Sequence, residues 1–173
     1  SDVYKRQPAF LVGIVLALVF FRLVPHPPNA TPIVAMSLFA GALFHNRVLA
    51  YLVPLAVMLL SDVVIGLHST IWYVYASILI TVLIGSTLKH ITVFGIGSAV
   101  VIASVVFFLL TNFGSWLYHD MYPQNIAGLV QAYVAGLPFL RNALIANLIF
   151  TYIVFYGLIR IKVGSISPKS TQS

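Results

Sequence analysis

The chain of 173 residues is 61% hydrophobic and 7% charged, with nine bases against three acids and no cysteine. A soluble domain carries about 25% charged residues, so the composition excludes a water-facing globule, and the missing thiols exclude disulfides, thiolate metal sites and cysteine nucleophiles. The net charge of +6 is scattered singly between apolar runs, which argues against a nucleic-acid-binding patch and for membrane topology signals.

Residues 1–7 differ in character from the rest of the chain and read as a non-native leader. Residues 8–162 read as one membrane domain, and 163–173 as a disordered cytoplasmic tail. With about 20 residues per crossing as the measure, the chain divides into six apolar stretches. They are Pro8 to Val24, a short one from Pro32 to Phe44, Val48 to Ile65, Ile71 to Leu88, Val93 to Phe113, and Leu137 to Ile159. Stretches apolar on all sides, without period-2 alternation, are predicted to be helices and not barrel strands. Between the last two, Gln124 to Ala135 reads as a short amphipathic helix, lying on the interface or folded inward as a lid.

Charge sets the orientation. Arg47, Lys89 with His90, and Arg160, Lys162 and Lys169 all fall on one side of a six-span chain. The positive-inside rule then places both termini in the cytoplasm, with Trp72 and Trp116 near the outer interface. A re-entrant second stretch would give five spans and an outside N-terminus. The predicted fold is therefore all-α and integral to the membrane, a compact bundle of six transmembrane helices with both termini inside.

The polar residues gather at the outer end. Asp62 is the single acid within an apolar stretch, so it faces the bundle interior with a partner. It is either a ligand-orienting or ion-coupling carboxylate, or half of a structural ion pair with Arg141 or Arg22. Arg141, behind Pro138, either holds an anionic ligand group bidentately or snorkels to headgroups. His26 and Asn29 lie in Pro25-His-Pro-Pro-Asn-Ala-Thr-Pro32, a segment stiffened by four prolines and suited to a binding-site wall. His68, Tyr73, Tyr75, Asn112 and Asn142 complete the candidate substrate-binding set. Ala9, Gly13 and Ala17 form a small-residue stripe on the first stretch, and Gly95, Ala99 and Ala103 another on the fifth. Each is a packing seam or a docking face. No phosphate loop, dinucleotide fingerprint or metal-ligand spacing is present, so no cofactor, metal, catalytic residue or enzyme activity is expected.

Six short helices with an outward polar pocket resemble the substrate-capture (S) components of energy-coupling factor (ECF) vitamin transporters. In that family the loops after the first, third and fifth helices cover the substrate. The stripe at Ala9, Gly13 and Ala17 is similar to the family's scaffold-contacting Ala-x-x-x-Ala stripe, with Gly in place of one Ala. More closely, Arg22-Leu-Val-Pro-His26, Leu60-Ser-Asp62, Thr111-Asn-Phe-Gly114 and Leu137-Pro-Phe-Leu-Arg141-Asn142 resemble an uncharacterised bacterial multi-pass membrane family. That family looks related to the solitary cobalamin-transporting S-component homologues. The resemblance implies His26, Asp62, Tyr73 or Tyr75, and Arg141 as ligand contacts. It also implies the bacterial cytoplasmic membrane, and an ECF-type scaffold subunit with ATPases as partners. The solitary cobalamin proteins ligate cobalt with a cysteine. This chain has none, and His68 is the substitute at hand. The functional expectation is capture and transport of a small vitamin-like solute. Rival readings are a non-transporting assembly subunit and an intramembrane enzyme using Asp62 and His26.

Overall fold

Backbone polar groups in so apolar a chain must be satisfied within their own segment, and in the computed structural model of the protein the described residues accordingly form helices joined by short connections. The described residues are residue 16 and residues 19–25, 32–88 and 92–164, with side chains on the last helix described as far as Val154. The helices are α1 (helical at residues 16 and 19–23), α2 (Ile33–Leu43), α3 (Arg47–Ile65), α4 (Ile71–Ser86), α5 (Val93–Tyr118) and α6 (Ile126–Gly164). The leader 1–7, the segment holding His26 and Asn29, the stripe residues Ala9, Gly13 and Ala17, and Lys89 with His90 lie outside the described residues.

Three helices, α3, α5 and α6, are long and apolar enough to cross a membrane. Helix α2 has 11 residues, about 16 Å at 1.5 Å per residue, and is too short at any tilt to span a hydrocarbon core of about 30 Å. It is instead the hub of the bundle. Val34, Ala35, Ser37, Leu38, Ala40 and Gly41 are all buried, and Val34 and Leu38 share the core with Ala99, Val100 and Ala103 of α5. The α5 stripe is thus an internal seam over Ala99 and Ala103.

The closest helix contact is α2 on α4. A Cβ added at Gly41 would lie 2.0 Å from the Val82 carbonyl oxygen, and one at Gly85 would lie 2.3 Å from that of Leu38. Ser37, Ser77 and Thr81, all fully buried, sit on the same seam and return their hydroxyls to carbonyls one turn back, at 2.6–2.8 Å. Small residues four apart let backbones approach in this way. The spacing Ser77-x-x-x-Thr81-x-x-x-Gly85 announces the seam in the sequence.

Helix ends obey local chemistry. Asn46 caps α3, its side-chain oxygen accepting from Val48 N at 2.9 Å and Leu49 N at 3.3 Å, and Thr92 caps α5 through Gly95 N at 3.0 Å. Gly66 ends α3 at φ +117° and ψ +141°, backbone that is essentially confined to glycine. A Cβ there would meet nothing within 4 Å, so Gly66→Ala isolates the conformational penalty. Its expected cost is about 1–3 kcal/mol, read as a lower unfolding midpoint with the same solute response.

One sequence expectation is corrected. Residues 114 to 136 are not a long connection with a separate short helix. Helix α5 continues to Tyr118 and α6 starts at Ile126, so Gln131 to Leu137 is uninterrupted helix with Pro138 inside it. The true connection is residues 119–125. It is drawn tight by Trp116 Nε1 donating to Pro123 O at 2.9 Å and Gln124 Nε2 donating to Trp116 O at 2.6 Å. Asn125 then caps α6 by accepting from Gly128 N at 2.9 Å. Hydropathy falls in this region, but backbone hydrogen bonding, not hydropathy, decides where a helix stops.

Candidate functional site

Helical periodicity carries one stripe of α5 and one of α6 to the same place. Phe107, Thr111 and Ser115 recur at four-residue steps, and Ala132, Ala135, Gly136 and Phe139 at steps of three, one and three. Together with Arg22, Ile33, Met58, His68, Val74, Asn112, His119, Met121 and Tyr122 they enclose a cavity of about 480 Å³. His68 reaches this cavity from the connection after α3, and His119, Met121 and Tyr122 from the connection after α5. A smaller chamber of about 60 Å³ adjoins it. The two share Ile33, Phe107, Thr111, Asn112 and Phe139 as walls. The lining alternates apolar surface with hydrogen-bonding groups, and a few placed polar groups in an apolar wall are the usual make-up of a small-molecule site.

The charge at this end is compensated. Asp62, 1% exposed, lies with its Oδ1 2.6 Å from Arg22 Nη1. The contact is one of charge, because no donor among the described residues meets Oδ1 in hydrogen-bond geometry. Asp62 Oδ2 accepts from Tyr75 OH at 3.1 Å. Arg22 also donates to Ser61 Oγ, and to Met58 O at 3.4 Å. Arg22 therefore clasps the last turns of α3 and is the cationic wall of the cavity. Of the two partners open to Asp62, the fold selects Arg22.

Among the other sequence-derived candidates, His68 and Asn112 line the cavity. His68 Nδ1 lies 2.9 Å from Thr70 Oγ1, and Asn112 donates to Phe108 O at 2.9 Å. Tyr75 reaches the site only through Asp62. Tyr73 is placed otherwise: its ring covers Gly114, where a Cβ would sit 2.5 Å away, and lies 6.0 Å from the rings of both Phe113 and Tyr118. Arg141 is exposed, Asn142 is half-buried, and neither lines either chamber. The reason is rotational. Arg141 is two residues past Phe139, about 200° around the helix, so the face that presents Phe139 to the two chambers turns Arg141 away.

Several lining residues carried no assigned role in the sequence: Ser104, Thr111, Ser115, His119, Tyr122 and Asn147. The signal for Asn147 was its position on the stripe of Gly136, Leu140 and Ala143, which sends a polar group inward. Its Oδ1 accepts from Ala35 N at 3.2 Å and so ties α6 to the start of α2. Among the described residues no group of three His, Cys, Asp or Glu side chains is placed to hold a metal ion.

No curated protein and no solved structure matches this chain. A family model does, along residues 3–167, and it is described as a family of unknown function, DUF6580. The match covers nearly the whole chain, and the protein belongs to that family.

Proposed function

We propose that the protein is a membrane-embedded capture and transport protein that binds a small vitamin-like solute in the cavity at one end of its bundle. The observation that carries this reading is the cavity itself, about 480 Å³. That volume is within the range of about 300–1,000 Å³ usual for small-molecule sites. Two of the connections that cover substrate in the S components which the sequence resembles reach its walls, the one after α3 through His68 and the one after α5 through His119, Met121 and Tyr122. The volume supports a compact solute over a corrinoid, in keeping with the absence of a cysteine to ligate cobalt.

In this proposal the chain crosses a bacterial cytoplasmic membrane six times with both termini inside, and the bilayer thins locally around the bundle to match the short, packed α2. The cavity then opens outward, because Arg47 and the bases at 160 and 162 mark the opposite end as cytoplasmic. An ECF-type scaffold with ATPases would supply the energy, or the bundle would rock unaided.

The test uses the cysteine-free background. Met121 is 75% exposed and lines the cavity, so Met121→Cys should react with a membrane-impermeant thiol reagent on intact cells. Native mass spectrometry of gently purified protein should show a retained small molecule. Adding that molecule at a hundredfold excess over Kd should stabilise the protein by about 2.7 kcal/mol, and Asn112→Leu should abolish the shift. Labelling only after cell lysis, or no retained solute and no shift, rules out external capture. Stable co-purification with a larger complex and no solute response would favour the assembly role.

A further inference from the structure

Helix α2 begins inside the bundle, where a helix's first N–H groups have no carbonyl behind them. Met36 N–H donates to Pro32 O at 2.9 Å and Ala35 N–H to Asn147 Oδ1 at 3.2 Å. Ile33 and Val34 N–H are left without a hydrogen bond among the described residues, and both residues line the 60 Å³ chamber. Ser104 lines it from α5. It is 2% exposed, and its Oγ has no hydrogen-bond partner among the described residues. Asn147 lines the chamber too. With its carbonyl oxygen committed to Ala35, the group it has left to offer is its NH₂.

The inventory leans towards donors, and the acceptors in the same walls are neutral: the carbonyl oxygen that Asn112 keeps once its NH₂ is bound to Phe108 O, and the Thr111 hydroxyl, which is turned to Phe107 O. Backbone donors, a hydroxyl and an amide line one chamber at the positive end of a helix dipole, while among the described residues no Asp or Glu lines either chamber. Arg22 is held by Asp62 and stands in the wall of the larger chamber alone. Unmet buried donors are destabilising until an acceptor arrives, and an ionised acceptor makes the stronger bonds. The space exceeds the roughly 10–15 Å³ that one water needs, which leaves room for a carboxylate.

We infer that the small chamber is a carboxylate subsite, taking the acid group of the captured solute on the Ile33 and Val34 N–H groups and the Ser104 hydroxyl. The body of the solute occupies the larger chamber against Phe107 and Phe139. The inference rests on the capture reading and narrows its substrate class to small carboxylic acids.

The experiment monitors the amide signals of Ile33 and Val34 by NMR in the full-length protein, selectively labelled with nitrogen-15, in a non-ionic detergent. The probe is sodium acetate, with acetamide as the uncharged isostere at constant ionic strength. The expected result is a saturable downfield shift of both amides with acetate and none with acetamide. Ser104→Ala should raise the acetate dissociation constant about tenfold and leave the other amide signals in place. Equal response to acetamide, or an unchanged constant in Ser104→Ala, overturns the subsite. So does saturation by dihexanoyl phosphatidic acid alone, which would identify a lipid headgroup as the occupant. A retained solute that lacks a carboxylate overturns the subsite and leaves capture standing. Acetate binding in a protein that captures no solute does the reverse.

Discussion

Asp62→Ala is expected to destabilise the protein by about 3–5 kcal/mol, the usual cost of breaking a buried ion pair from one side. The asymmetry of burial sets the magnitude. The Arg22 side chain is 17% exposed, and its guanidinium is already engaged with Ser61 and Met58 O. Without the carboxylate it has no anion to meet among the described residues, and Tyr75 OH loses its acceptor. The paired variant Arg22→Met with Asp62→Leu removes both charges and fills the space. It should recover most of the loss, because well-packed apolar replacements of buried ion pairs are often neutral or stabilising. Unfolding midpoints of the wild type, Arg22→Met, Asp62→Leu and the double variant in detergent close the cycle. If Asp62→Ala alone costs less than about 1 kcal/mol, the pair behaves as a solvent-exposed contact and Arg22 does not clasp α3. The same variants separate structure from binding. The double variant should fold while its cavity lacks a cationic wall, so a change in solute affinity would register the loss of Arg22 itself.

The second large effect is expected at the α2–α4 seam. Gly41→Val should prevent the two helices from closing, and Gly41→Ala should cost about 3 kcal/mol, the upper part of the range for overpacked cores. The obstacle is backbone. The new Cβ would meet the Val82 carbonyl oxygen at 2.0 Å and the Ser86 amide nitrogen at 2.9 Å, neither of which can rotate aside as a side chain would. Gly85→Ala meets the Leu38 carbonyl oxygen at 2.3 Å and should behave likewise. Gly97→Ala is the control, since its Cβ would meet the end of a side chain, Tyr152 OH, at 2.6 Å. That hydroxyl can yield its bond to Val93 O, so the loss should be smaller. Resistance to detergent-induced unfolding, compared among the four variants, checks the order. Equal losses at Gly41 and Gly97 would mean that the seam is looser than the backbone contacts imply.

The seam bears on the proposed carboxylate subsite through geometry. Helix α2 starts at the cavity and is fixed laterally by Gly41 and Gly85 and at its start by Asn147, so the Ile33 and Val34 N–H groups are held in place before any ligand arrives. Preorganised donors bind without the ordering cost that a mobile loop would incur. A short helix packed by four neighbours gives this rigidity, which an 11-residue helix in isolation lacks.

Much of the fold is legible in the residues. The apolar stretches at 32–44, 48–65 and 71–88 lie within two residues of α2, α3 and α4, because each is bounded by groups that hydrocarbon rejects or that cap a helix, such as Asn46. The gathering of polar and aromatic residues at one end is also legible, as is the need of Asp62 for an interior partner, since a lone carboxylate in an apolar stretch has no cheaper arrangement. Hydropathy fails where a helix carries mixed residues. Trp116 and Tyr118 look like loop but complete α5, and Gln131 and Tyr133 look like a separate segment but belong to α6.

What the sequence determines by itself is local: helices where apolar runs meet their caps, a membrane habitat, and an end of the bundle rich in hydrogen-bonding groups. These arise from each segment's own solvation and backbone bonding, which need no neighbour. Only the tertiary structure decides that Arg22 and not Arg141 meets Asp62, that Phe139 and not Arg141 lines the chambers, and that Ser104 and Asn147 join the start of α2 around a shared chamber. Those choices depend on the rotation of each helix against the others, which is fixed by packing between residues tens of positions apart.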